Sequence, residues 1–168
     1  NERIQSFGTI KQIRLAFDEN YAQSLAYIGR GQTQQQLQET QDYTDHAFTE
    51  WKDRFQTRIL HNKIRECHGD LHLRNICLWQ NRIFLFDCIE FNEAFRYVDT
   101  MYDVAFIVMD CDARGHSDLG NVFLNTYLED TGDWEGLDVL PLYLSRQAYV
   151  RAKVTSFLLD DVTVADKH

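Results

Sequence analysis

The chain has 168 residues, 44% of them hydrophobic and 13% aromatic, which excludes wholesale disorder and suits a single domain over residues 1–168. Acidic residues outnumber basic ones by 26 to 17, a formal charge of −9 that repels a phosphate backbone and excludes a general nucleic-acid binder. No apolar run approaches the roughly 20 residues of a membrane span, so no membrane partner is expected and the chain reads as cytoplasmic.

Taken in chain order, Gly29-Arg-Gly-Gln-Thr-Gln-Gln-Gln is a short polar break between two helical stretches. After it, Ala47, Trp51, Phe55 and Ile59 recur every four residues beside Phe48, which predicts one long helix ending near His61 or Asn62. Ile76-Cys-Leu-Trp and Arg82-Ile-Phe-Leu-Phe flank Gln80-Asn81 and predict a tight β-hairpin. Met101, Tyr102, Ala105, Phe106 and Met109 follow helical spacing, and Leu119, Val122, Phe123 and Tyr127 do so after Ser117, a predicted N-cap. Pro141, the only proline, suits the first turn of a last helix. Its stripe of Tyr143, Val150, Val154 and Phe157 reads as core, and Arg146, Arg151 and Lys153 read as a solvated face. The fold class is therefore α+β and mainly helical, with one small hairpin at its centre.

The four cysteines, Cys67, Cys77, Cys88 and Cys111, show no two-residue spacing and have apolar neighbours, so buried free thiols in a reducing compartment are expected. Asp99 is expected to cap a helix, while Asp110 and Asp112 beside Arg114 read as loop charge at a helix end.

The non-helical centre carries the chemistry. It reads Cys67-His68-Gly69-Asp70-Leu71-His72-Leu73-Arg74-Asn75, then strand, turn and strand, then Phe86-Asp87-Cys88-Ile89-Glu90. A hairpin brings its two ends together, so Asn75 and Asp87 are expected within reach of one ion. Two oxygen ligands of this kind suit Mg²⁺, which takes its remaining ligands from water and substrate phosphates. Asp70, on the preceding loop, can then accept a hydroxyl proton or orient that hydroxyl toward a phosphoryl group. A zinc site on His68, Asp70 and His72 is the weaker alternative, because alternating loop residues rarely converge without a further ligand.

His-x-Asp-x-x-x-x-Asn followed by an Asp is the catalytic-loop spacing of the protein-kinase fold. More closely, His68-Gly-Asp-Leu-His72-x-x-Asn75 resembles the aminoglycoside phosphotransferase and choline kinase branch of kinase-like enzymes. Asp87-Cys-Ile-Glu-Phe-Asn-Glu, Arg96-Tyr-x-Asp99 and Asp103-x-Ala-Phe resemble a bacterial subgroup of that branch, some of whose members carry a P-loop kinase domain as well. The resemblance implies the C-terminal lobe of a kinase-like fold, with ATP as phosphoryl donor and a small-molecule hydroxyl as acceptor. It implies Asp70 as the catalytic aspartate, Asn75 and Asp87 as Mg²⁺ ligands, and His68 as a brace of the loop. Asp103 is implied to accept backbone N–H bonds from that loop. His72 and Glu90 are expected in supporting roles. A fused or neighbouring P-loop kinase domain is the implied partner.

Two departures narrow this expectation. Leu73-Arg74 stands where drug-modifying members commonly carry Pro-Gly, and Cys88-Ile89-Glu90 replaces the usual residues after the metal aspartate. Phosphoryl transfer remains the expectation, without grounds for an aminoglycoside in particular. No Gly-x-Gly-x-x-Gly is present, and none of Lys11, Lys52, Lys63, Lys153 and Lys167 lies in a Val-Ala-Ile-Lys type strand. Together with the missing initial Met, this predicts that the nucleotide-gripping lobe lies outside this chain. The acidic composition suits a cationic or polyol acceptor, and no substrate-binding residue is singled out. The rival reading is a non-catalytic kinase-like module that binds a ligand or regulates a neighbouring kinase domain.

Overall fold

The computed structural model describes residues 2–160; Lys167 lies outside them. The chain is α+β and mainly helical. Helices α1 (Glu2–Ser6), α2 (Ile10–Ser24), α3 (Gln34–Glu50) and α4 (Lys52–Leu60) precede strand β1 (Ile64–Glu66) and the hairpin β2 (Ile76–Trp79) and β3 (Arg82–Leu85). Then come α5 (Glu93–Arg96), β4 (Tyr97–Asp99), α6 (Thr100–Ala113), α7 (Ser117–Thr131) and α8 (Leu140–Phe157). Among the described residues no helix is long and apolar enough to cross a membrane.

Helix α6 is the axle. Its residues Met101, Val104, Ala105, Phe106 and Ile107 are buried almost all round, and it packs against both α7 and α8. Phe17 and Tyr21 of α2, Phe48 of α3, Phe55 of α4, and Leu142 and Tyr143 of α8 close the core around it. Each such side chain stabilises the fold by about 1.5–3 kcal/mol relative to exposure.

Several local expectations change. The Gln34–Gln36 run is the first turn of α3, because Thr33 and Gln36 form a reciprocal capping box. The long helix breaks at Trp51, whose backbone (φ −102°, ψ 18°) separates α3 from α4. His116, not Ser117, precedes α7; the Ser117 hydroxyl instead donates to Asp112 Oδ1 at 2.5 Å. A second small sheet pairs β1 with β4 antiparallel, Ile64 opposite Asp99 and Glu66 opposite Tyr97. Three-residue strands such as Ile-Arg-Glu are too short and polar to show a period of two. Cys77 and Cys88 are exposed, while burial pushes the Cys67 thiol up to about 12.

Two basic residues are buried, Arg146 against expectation. Arg146 of α8 donates to the Tyr102 hydroxyl at 2.7 Å and lies over the Tyr102 ring, so it belongs to the core rather than a solvated face. Arg58 of α4, 1% exposed, donates to Asp99 Oδ2 at 2.9 Å and to both Asp133 oxygens at 2.5 and 3.0 Å. Asp99 also caps α6 by accepting the Met101 N–H at 2.9 Å. This network pins α4, the start of α6 and the turn after α7 to one point.

Candidate active site

The hairpin is shaped by its turn. Gln80 (φ 49°) and Asn81 (φ 58°) both adopt positive φ, the pattern of a two-residue turn whose twist matches that of the strands. Ile76 pairs with Leu85, and below that rung the Phe86 N–H donates to the Asn75 carbonyl at 3.1 Å. Asn75 and Asp87 therefore sit at the same root of the hairpin, on either side of the last backbone bond. Asp87 has φ 60°, a left-handed conformation that Asp tolerates better than most residues.

The loop from Cys67 to Asn75 is fixed mainly through its own backbone. The Asp103 carboxylate accepts the His68 N–H at 2.7 Å and the Gly69 N–H at 3.0 Å. Burial pushes the Asp103 carboxyl above its ordinary value, and the two N–H donors hold back part of that rise. Four residues on, the Leu73 N–H donates to Asp110 Oδ2 at 3.0 Å. Asp103 and Asp110 stand seven residues apart, two turns along one face of α6, so a single helix grips the loop on both sides of Asp70.

Within that grip, Asn75 Nδ2 donates to the Asp70 carbonyl at 3.0 Å and approaches Asp70 Oδ2 at 3.4 Å. The bond spends the amide's nitrogen on the loop and leaves Oδ1 as its open acceptor. The Asp70 carboxylate is half-buried, with His72 Nε2 at 3.5 Å from its Oδ2. The His68 ring braces the root: its Nε2–H donates to the Phe86 carbonyl at 2.9 Å, and its Nδ1 accepts the Asp70 N–H at 3.4 Å. Both nitrogens are occupied, so His68 has none left for a metal or a proton relay. Among the described residues no three His, Cys, Asp or Glu side chains gather around a common point. His72 packs edge-on against Phe106, with its Nδ1 buried and unpartnered. Glu90 is exposed, and among the described residues it makes no hydrogen bond or ion pair.

A cavity of about 240 Å³ opens beside Asp70. Its walls overturn three expectations. Val150 and Val154, read as core, line it, and so does Arg151, read as a solvated charge. Asp110, read as loop charge, is 2% exposed and ion-paired with both Arg114 and Arg151. The seven-residue spacing of Asp103 and Asp110 was the available signal, because it places both carboxylates on one helix face.

No family model matches the chain. Uncharacterised proteins of Mycobacterium tuberculosis (strain H37Rv) and Mycobacterium bovis are each 29% identical to it over 154 residues, which is 92% of this chain. Those residues make up 31% of the relatives, so the chain spans about a third of the curated proteins it matches. No solved structure matches it.

Proposed function

We infer that this chain is the catalytic, C-terminal lobe of a kinase-like phosphotransferase that moves the γ-phosphoryl group of ATP to a hydroxyl of a small molecule. The observation that supports the reading is the hairpin root, where Asn75 Nδ2 bonds the Asp70 carbonyl and the Phe86 N–H bonds the Asn75 carbonyl, which brings the backbone of Asp87 beside the other two. Asp70 has the role of base. It takes the proton of the acceptor hydroxyl as that oxygen bonds to phosphorus, the bond between the β-bridging oxygen and the γ-phosphorus breaks, and ADP leaves.

The donor set at the root suits Mg²⁺. Asn75 Oδ1 and the exposed Asp87 carboxylate are hard oxygen donors, and two such ligands leave room for water and phosphate oxygens. The ion would neutralise charge on the transferred phosphoryl group. The Asp103 and Asp110 anchors keep Asp70 in place without solvent-exposed side-chain contacts. A nucleotide-covering lobe belongs, on this reading, to a longer parent protein, and the threefold greater length of the mycobacterial relatives leaves room for one. The exposed apolar residues of the hairpin, with Leu78 71% and Ile83 74% exposed, supply a surface for it to cover.

The test is ATP-dependent phosphoryl transfer by the full-length parent protein, surveyed across small hydroxylated compounds. Asp70→Asn is expected to cut turnover by about 10²–10⁴-fold, the usual contribution of a positioned base, with the thermal midpoint unchanged. Wild-type turnover in that variant overturns the role given to Asp70.

A further inference from the structure

The geometry points to an acceptor that carries its own negative charge: a small hydroxylated carboxylate or phosphate, seated in the cavity beside Asp70 and held by Arg74. This rests on the reading of Asp70 as the base. Three arginines line the cavity, each from a different element: Arg74 from the loop, Arg114 from the end of α6 and Arg151 from α8. Two aspartates, Asp70 and Asp110, face them. Asp110 is already matched by ion pairs to Arg114 and Arg151 and by the Leu73 N–H. Arg74 has no hydrogen bond or ion pair among the described residues and is exposed beside the cavity. Three cations against two anions leave a surplus positive charge in a chain whose formal net charge is −9. That local reversal selects for an anion.

Guanidinium is the right chemistry for the task. Its planar fork donates two parallel bonds to a carboxylate or a phosphate, which fixes the ligand's orientation as well as its position. Phe106, Met109, Val150 and Val154 supply an apolar wall, so the acceptor's carbon skeleton has a place to lie. The volume also limits it. About 240 Å³ falls below the roughly 300–1,000 Å³ of pockets for drug-sized ligands and admits a metabolite rather than a multi-ring sugar. The cationic acceptor suggested by overall composition is therefore replaced, since net surface charge says little about a pocket whose own lining has the opposite sign. The transfer step keeps the balance given above: the acceptor's hydroxyl proton goes to Asp70, its oxygen bonds the γ-phosphorus, and ADP departs.

Binding of D-glycerate, glycerol 3-phosphate, glycerol and choline to the 168-residue chain, by calorimetry at about 0.15 M ionic strength, tests the proposal. At least one of the two anions is expected to bind about tenfold or more tighter than glycerol and choline, and the stronger of the two identifies the charged group. Arg74→Gln is expected to weaken that anion about tenfold, the worth of a hydrogen bond to a charged group. Val154→Trp, which fills the cavity without altering charge, is expected to abolish binding. Equal affinity for glycerol or choline, no binding of either anion, or full affinity in Arg74→Gln overturns the proposal. The two readings fail separately. Anion binding that follows Arg74 alongside full turnover in Asp70→Asn removes the base and keeps the pocket. Turnover lost in Asp70→Asn, with neutral acceptors phosphorylated and Arg74→Gln silent, removes the pocket and keeps the base.

Discussion

A methyl group on Gly69 has nowhere to go. The backbone there has φ +81°, and an added Cβ would meet the Phe95 carbonyl oxygen at 2.4 Å and Ile89 Cγ1 at 3.0 Å. Gly69→Ala is therefore expected to cost about 1–3 kcal/mol from backbone conformation alone, before any clash, as read by urea unfolding. The same substitution would pull the Gly69 N–H off Asp103, so Asp70 would shift with it. At this scale the hairpin was legible: a short loop and a two-residue turn bind spacing to backbone geometry, so the chain comes back to Asn75 at Phe86, next to Asp87. Arg58 and Arg146 gave no such sign, because their roles come from partners 41 and 44 residues away in the chain; Asp110, read as loop charge, could be placed only by its seven-residue spacing from Asp103.

Among elements, the joint between α4 and α6 is the one built on charge. Arg58 compensates two buried carboxylates, so Arg58→Met is expected to lower stability by about 3–5 kcal/mol, the usual result of stranding a buried charge. Burial by itself would raise the Asp133 carboxyl, but the Arg58 guanidinium, the Tyr127 hydroxyl and the Lys63 ammonium more than offset it and hold it below the ordinary carboxylate value. A depressed carboxyl stabilises the fold above its unfolded value, about 3.9, and loses that contribution as pH falls through its lower folded value. Wild-type stability from this group should accordingly decline only below about pH 4. In Arg58→Met the Asp133 carboxylate loses its main counter-charge, so protonation of Asp133 relieves part of the cost and the gap to wild type should narrow as pH falls from 7 toward 4.5. Denaturant unfolding at the two pH values checks the sign, and a gap that widens would contradict it. The helical stripes predicted α6 and the helical character of residues 47–59, because burial on one face imposes a period, and they missed the break at Trp51 that divides α3 from α4. They failed on α8, where the same period serves the core at Tyr143 and a cavity wall at Val154. Periodicity marks an apolar face and is blind to what lies against it.

For the molecule as a whole, apolar surface is unevenly shared. The core gathers on α6, whereas the hairpin and its flank leave Leu78, Trp79, Ile83 and Phe91 exposed, Phe91 at 84%. Because these side chains contribute little burial, Ile83→Glu is expected to change the unfolding free energy of the 168-residue chain by no more than about 0.5 kcal/mol. On the proposed function, the same change in a protein that carries the nucleotide lobe should raise the KM for ATP, and an unaltered KM would count against that lobe covering the hairpin. The α+β class and the position of the hairpin were legible from pattern alone. The second sheet and the cavity were not, since both are made by segments far apart in the chain.

The paired grip of α6 has a last consequence. Asp103 and Asp110 hold the loop by its main chain, at His68, Gly69 and Leu73, and backbone amides are the same whatever side chains follow them. Leu71 and His72 lie between the two anchors and Arg74 just beyond, so they can be rewritten while Asp70 stays registered to the helix. Side chains of the loop can thus change on a fixed rail roughly 10 Å long without loosening its backbone.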